Sequence, residues 1–573
     1  MKRYIKIFSV MIAGFTSYSC NDYLKEELVS DVAAASYYTT PSGLEDAVEA
    51  TYSFMKPFFG TERGFTMTVF GTDVHTNGAD GGHKAINRYD GGLSSTESYI
   101  RDTWRDFYKG INQANAVINR SESVDMPAAL KNTRIAEVRF LRALYYFFLT
   151  ETYGNIHLSL EETEGVEIEA NKTEKSVIYS DAIIPDLEFA IANLPPTQDD
   201  KGRATKPAAE FLLAKALLTR SYSSFAASTD ASTAESLLTT VISGGGYGFE
   251  LAANHAELFG LNERGEAEFI ATAEDLPEHI FTVQNSKSQV DEGIDGDGHR
   301  GHLYFLPEYD KLPGMTRDIN NGRPWKRFRP TDFSLGMWDR SIDARYDDSY
   351  KHVFYANSEG NIPVWSAEEA GMGYGVAGEP KFTLGDTAIY IPGPGKDAEW
   401  PQSRQDATRY MVITNDEYTE KLFPALNKFI DDTRPDRQKT QGQRDFYLMR
   451  LGEAYLLRAE ARLQQGNTTG AAEDINVIRR RAAVPGMEAA MEITAGDVTL
   501  DFLLDERARE LDGEGQRWWD LVRTGKLVER VRLHNPQAAP NIQDFHVRRP
   551  IPQVQIDNTL GGYPQNSGYP GGE

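Results

Sequence analysis

The chain has 573 residues, with 60 Lys plus Arg against 85 Asp plus Glu, 10 His and a single Cys. That length allows several domains and a sizeable core, and 40% hydrophobic with 25% charged residues argues against wholesale disorder. A net charge of −25 argues against a nucleic-acid partner or a basic face on anionic lipid, and one Cys excludes an internal disulfide or a multi-Cys zinc site.

The first twenty residues read as a targeting segment. Lys2, Arg3 and Lys6 form a positive start, residues 7–15 a short apolar run, and Ser17-Tyr18-Ser19 lead to Cys20. The run is too short to span a bilayer. A lone Cys directly after it has the layout of a lipoprotein signal, in which Cys20 takes the lipid and begins the mature chain. Removing residues 1–19 takes away three positive charges and no negative ones, so the mature charge moves from −25 to −28. No later apolar run is long enough to cross a membrane, so the chain reads as anchored to one.

Apolar residues then recur at helical spacing over 31–55 and 98–119. The run EVRFLRALYYFFLTETY, 137–153, is apolar on nearly all sides and predicts a helix buried among other helices. Pro207 opens another at its first turn, followed by 231–242 and a stop at Gly244-Gly245-Gly246. From about 253 to 427 the helical period fades, and Gly, Pro, Asp, Asn and aromatics dominate. Such a stretch is too long for a loop and too aromatic for a linker. Helices are expected again at 446–465, 470–482 and 500–511. In the first pair Tyr455, Ala459, Gly466, Ala471, Ile475 and Ile478 match a tetratricopeptide unit, although Arg462 stands where an aromatic is usual. The fold class is mainly α: a helical scaffold with tetratricopeptide-like helix-turn-helix units plus an irregular, loop-rich ligand-binding subdomain. The divisions are a signal at 1–19, helical regions at 20–252 and 428–573, and the irregular part at 253–427.

Catalytic motifs such as HExxH, GxSxG and the P-loop are absent from the sequence. His299 and His302 lack an evident third metal ligand. Asp291, Asp295 and Asp297 in DEGIDGDG offer oxygen to calcium, with a spacing unlike an EF-hand loop; no other cofactor is expected. Aromatics crowd the irregular stretch: Trp325, Trp338, Trp365 and Trp400, with Tyr304, Tyr309, Tyr346, Tyr350 and Tyr355. Such rings stack on sugar faces, suit a peptide equally, or fill a core. A glycosidase carboxylate pair is not identifiable from spacing.

The C-terminal third carries RLGEAYLLRAEARLQQG (450–466), AAEDINVIRRRA (471–482), LDERARELDGEGQRWWDLVRTGK (504–526), RRPIPQVQID (548–557) and YPQNSGY (563–569). With WRDFYKGINQANAVIN (104–119), RPWKRFRPT (323–331) and DRSIDARYDDSY (339–350), these motifs resemble the SusD/RagB family of Bacteroidetes outer-membrane lipoproteins over essentially the whole mature chain. By themselves they read as scaffold: Glu506, Arg507, Arg509 and Glu510 as charge pairs within one helix, Trp518 and Trp519 packing the following turn back onto it, and Pro550 and Pro552 fixing an extended segment. The resemblance implies the SusD-like fold and a lipoprotein on the outer membrane facing the exterior. It implies a cap on a SusC-like TonB-dependent transporter that captures oligosaccharide or polysaccharide without cleaving it. Peptide carriage on the same architecture and, further off, a surface glycoside hydrolase are the alternatives. It places ligand contacts in the loop 72–92, TDVHTNGADGGHKAINRYDGG, and in the irregular region. The first lacks Trp and offers His75, Asn77, Asp80, His83 and Tyr89; the second offers Tyr304, Arg323 and Trp325 with His302 behind them. Arg327 and Arg329 suit ion pairs with carboxylates equally well.

Overall fold

The computed structural model describes residues 39–163, 165–285 and 298–572. Cys20 with its leader, and the acidic trio Asp291, Asp295 and Asp297, lie outside the described residues. The fold is mainly α, as the periodicity predicts. Helices α1 (Pro41–Ser53), α2 (Ser98–Ser121) and α3 (Ala128–Tyr153) pack together at the N-terminal end. Nearly every residue of α3 from Ala136 onward is buried, so its all-round apolar pattern is satisfied by neighbours on every side. Its tyrosines remain inside because each hydroxyl donates to a carbonyl: Tyr145 to Thr51, Tyr146 to Ser159 and Tyr153 to Ile100, all at 2.6–2.7 Å. At Gly110 of α2 a Cβ would stand 2.6 Å from the Tyr145 ring, so glycine sets the approach of α2 to α3.

Helix α4 (Ile184–Asn193) escapes the sequence reading because Pro185 interrupts its run. A π-helical turn at Tyr179–Ile183 precedes it and supplies the extra residue that lets the proline ring and its missing N–H fit. Helix α5 (Lys206–Ser221) starts on Pro207 as predicted, and α6 (Asp230–Thr239) packs against it.

The middle of the chain holds short strands. Strand β1 (His75–Asn77) pairs antiparallel with β3 (Phe328–Pro330), β2 (His279–Val283) with β9 (Phe446–Arg450), and β4 (Tyr350–Lys351) with β8 (Ala425–Leu426). Strands β5 (Val353–Tyr355), β6 (Thr387–Tyr390) and β7 (Met411–Val412) make a three-stranded sheet in which β6 and β7 run parallel. A separate small core of Leu306, Tyr309, Phe354, Ile389, Ile413 and Ile430 lies beneath them. Most aromatics of this stretch are buried, some in this core and others, such as Trp338, Tyr346 and Tyr350, in the main one. Tyr309 stacks on Phe354, Trp338, Trp365 and Trp400 are buried, and Tyr346 lies flat on Tyr350. Those rings fill the interior, whereas Trp325 remains half-exposed.

The helix expected over 446–465 begins only at Leu451. Residues Phe446–Arg450 are β9, buried along its whole length, and a strand covered on both faces shows no alternation to separate it from a helix. Helices α7 (Leu451–Gln464) and α8 (Thr468–Arg481) form the tetratricopeptide-like pair. Ala459, Ala471, Ile475 and Ile478 are fully buried between them, the small residues letting the axes approach. Arg462 replaces the usual aromatic by donating to Glu235 and to the Gly470 carbonyl, both at 2.9 Å.

Helices α9 (Leu500–Glu510), α10 (Arg517–Arg523) and α11 (Leu527–His534) follow. Trp518 and Trp519 therefore belong to a helix of their own, where the sequence reading has them pack a turn back onto α9. The charges of α9 also pair differently. Only Arg509 with Glu506, at 2.7 Å, is a pair within the helix. Arg507 reaches Asp520 and Glu453, while Glu510 holds Arg450, Arg481 and Arg345. Burial drives this change, because interior charges need several partners each, from wherever the packing supplies them. Among the described residues no helix is long and apolar enough to cross a membrane.

Candidate functional site

The loop after β1 and the segment before β3 are sewn together by backbone bonds. Gly78 N–H donates to the Arg327 carbonyl at 2.9 Å and Asp80 N–H to that of Lys326 at 3.2 Å. Trp325 N–H donates to Leu303 and Arg327 N–H to Tyr304, at 2.8 and 2.9 Å. Gly78 is required here: a Cβ would lie 2.2 Å from the Lys326 oxygen. Lys326 itself takes φ 43°, a left-handed conformation that costs a non-glycine residue about 1 kcal/mol or more. Its ammonium sits 3.1 Å from Asp80 and 3.3 Å from Glu308, two ion pairs that help hold that backbone.

The root of the loop is fixed by the C-terminal third. Asp73 is fully buried and accepts from Arg517 at 2.8 and 2.6 Å and from Arg530 at 2.7 Å. Burial alone would raise its carboxyl, but the two guanidinium groups outweigh that and hold it down at about 2. Thr76 Oγ1 lies 2.8 Å from both Asn535 Oδ1 and Gln537 Oε1, which share its one proton.

Above this base lies a face of half-exposed rings and charges. His83 stacks on Tyr99 with centroids 3.5 Å apart and pairs through Nδ1 with Glu97 at 2.7 Å. Burial and Glu62 push the Tyr99 phenol well up, so it is neutral at physiological pH. Arg327 pairs with Glu62 at 2.8 Å and lies 5.0 Å from the centre of the Trp325 ring, with Arg323 5.8 Å from the same ring. Arg323 donates to the Gln438 carbonyl at 2.8 Å.

The eight residues proposed from sequence thus divide. Asp80, His83, Arg323 and Trp325 share this face and are at least partly exposed. Asn77, Tyr89, His302 and Tyr304 are buried, a correction to their expected place in the site. Asn77 lies within the β1–β3 pair, its N–H donating to Gln537. Tyr89 caps a short helix in the left-handed conformation and donates to the Gly71 carbonyl at 2.8 Å. His302 donates to the Thr440 carbonyl, and burial with nearby Arg434 keeps its imidazole neutral. Tyr304 stands edge-on beneath Trp325, 6.0 Å away, as its support. His75 is also buried, on Asp512 at 2.9 Å. His299 lies among Phe65, Phe429 and Phe446, and burial lowers it to about 3. Arg327 makes an ion pair, whereas Arg329 makes none among the described residues. The sequence reading misses Glu62, Tyr99 and Lys326. Tyr99 was detectable as an aromatic at the start of a helix next to the loop, but nothing in the sequence marks the strained Lys326.

A cleft of about 790 Å³ lies elsewhere, between α2, residues 163 and 165–170, and residues 552–558. Trp104 and Tyr108 line it, with Lys109, His157 and the exposed Val166 and Val554. None of the eight proposed residues lines it.

A sequence model described as the SusD family matches residues 409–569, and one described as "Starch-binding associating with outer membrane" matches 44–218. The chain is 24% identical over 575 residues to SusD-like protein P25 of Formosa agariphila, covering 95% of each. It is 27% identical over 474 residues to the starch-binding protein SusD of Bacteroides thetaiotaomicron, covering 80% of this chain and 76% of that one. Among solved structures, a laminarin binding SusD-like protein superposes with a TM-score of 0.66 at 23% identity, covering 93% of this chain and all of that one. Surface glycan-binding protein A from Bacteroides thetaiotaomicron, in complex with laminarihexaose, gives 0.64 at 19%, covering 92% and 100%. The structural likenesses establish the fold.

Proposed function

We propose, taking as premise that this chain belongs to the SusD/RagB family, that it captures glycan at the cell surface without cleaving it and passes it to a SusC-like TonB-dependent transporter. The observation that carries the reading is the face built on β1 and β3. Its rings, Trp325, Tyr99 and His83, are held by their own neighbours and half-exposed, framed by Arg323, Arg327 and Asp80. Aromatic faces stack on the C–H faces of sugar rings, and the charged groups bind hydroxyls. Carboxylates of this face are engaged by cations, Glu62 by Arg327 and both Asp80 and Glu308 by Lys326. Such pairing suits a binding surface better than a hydrolytic acid, which must hold a proton. The glycan specificities named for the relatives support the class of ligand.

Anchoring would come from lipid on Cys20, holding the acidic body at the outer membrane. More than one acyl chain is needed for stable attachment. The test is native affinity electrophoresis of the chain from residue 21 through gels carrying a panel of polysaccharides, with the same samples assayed for new reducing ends. Retardation by a glycan without release is expected, and Trp325→Ala should weaken it about tenfold or more, stacking being worth about 1 kcal/mol or more beyond area. Release of reducing ends would overturn the reading in favour of an enzyme. Retention of peptides alone would move it to peptide carriage.

A further inference from the structure

Around Trp325 three arginines stand outside the ion pairs of the described residues. The chain carries a large acidic excess, yet on this face the carboxylates are already taken. Glu62 belongs to Arg327, Asp80 and Glu308 to Lys326, and Asp310 to Arg317 at 3.1 Å. Asp436 accepts the backbone N–H groups of Gln438 and Lys439.

Arg323 has no carboxylate within ion-pairing distance among the described residues. Its one hydrogen bond goes to a backbone carbonyl, and its Nε is buried without a partner. Burial and the like charge of Arg317 press against its protonated form, so a positive charge is kept where no carboxylate of the described residues pairs with it. The carbonyl it holds belongs to Gln438, and the preceding residue, Arg437, is exposed and has no ion-pair partner among the described residues. Arg300, whose charge bears on the Tyr304 hydroxyl, is half-exposed and has no ion-pair partner among the described residues either.

A planar guanidinium receives a carboxylate or sulfate through two parallel hydrogen bonds, stronger than those it makes to neutral hydroxyls. We propose that the ligand of this face is an anionic saccharide, bearing a uronate carboxylate or a sulfate ester, whose charge is received by Arg323 beside the Trp325 ring, with Arg437, which precedes the residue whose carbonyl Arg323 holds, as the second guanidinium. The inference rests on the glycan-capture reading and adds the substrate class to it. A protein this acidic repels polyanions at large, so preference for one would come from the local face and not from net charge.

The experiment is calorimetry on the chain from residue 21 with saccharides that differ only in charge. Oligogalacturonate is compared with its fully methyl-esterified form, and laminarin sulfate with laminarin. The charged member of one pair should bind at least tenfold tighter in 20 mM salt, and the advantage should shrink in 500 mM salt. Which pair responds tells carboxylate from sulfate. Arg323→Gln with Arg437→Gln should remove the advantage, lowering affinity for the charged member at least tenfold and for the neutral member by a smaller factor, with the melting temperature unchanged. Equal or tighter binding of the neutral members, insensitive to salt and to the substitutions, would overturn this inference and leave glycan capture standing. A charge preference that survives both substitutions would overturn the assignment to these arginines. Absence of binding to every saccharide by folded protein would instead overturn the reading beneath it.

Discussion

Replacing Asp73 by Asn removes a charge that two buried arginines depend on. Three charge-assisted bonds are involved, two from Arg517 and one from Arg530, at 2.6–2.8 Å. The amide oxygen of Asn can keep one, so two are lost, each worth about 1.5–3 kcal/mol. Both arginines retain other acceptors, Arg517 the Leu504 carbonyl at 2.6 Å and Arg530 the carboxylate of Asp505. The expected loss is therefore about 3–5 kcal/mol, the range for breaking a buried pair on one side. Urea unfolding followed by circular dichroism reads it as a lower midpoint at unchanged slope. Arg517→Met should cost a similar amount, and the double variant less than the sum of the two. Acid provides a second check. The Asp73 carboxyl is held at about 2 against an ordinary value near 4, so its contribution is fully present above about pH 4 and is lost as pH falls through about 2. A loss under about 1 kcal/mol, or additive single variants, would refute the view that this cluster carries the loop.

Two further expectations follow from the same reasoning. The Asp445 carboxyl is pushed up to about 7, first by burial and then by Glu274. The folded state therefore prefers it protonated, and this group lowers stability as pH rises from about 4 to about 7. Asp445→Asn, which keeps an acceptor for the Asn285 N–H at 2.9 Å, should gain about 2–4 kcal/mol relative to the parent between pH 4 and pH 8; parallel melting curves across that range would contradict it. Cys20→Ala should abolish labelling by radioactive palmitate and release the protein from the membrane fraction, and continued labelling would place the lipid elsewhere.

Long periodic elements were legible from residues alone. The buried helix α3 and the Pro207 start of α5 stand where the pattern puts them, because an unbroken apolar stripe and an N-terminal proline have few other uses. Strand β9 was misread as helix, since full burial erases the period that separates the two. Helix α4 was missed for its proline, which a π turn absorbs. The two segments that the sequence reading names for the site are neighbours, joined by the β1–β3 register. That reading does not separate half-exposed Trp325 from buried Tyr304, or exposed Asp80 from buried Asn77, because which of them faces inward is decided by packing between segments distant in sequence. Loop aromatics look alike in sequence, yet Trp338, Trp365 and Trp400 are buried.

The bracing of β1 also sets an order of events. Asp73 is joined to residues 444 and 457 positions further along the chain, and Thr76 to one 461 positions away. The segment bearing Asp80 and His83 is synthesised early, yet the groups that hold it arrive near the end. Contacts so distant in sequence form late, after the loops between them have closed. A nascent or prematurely ended chain would carry the binding residues without their geometry, so affinity for ligand would appear only once synthesis had passed Gln537.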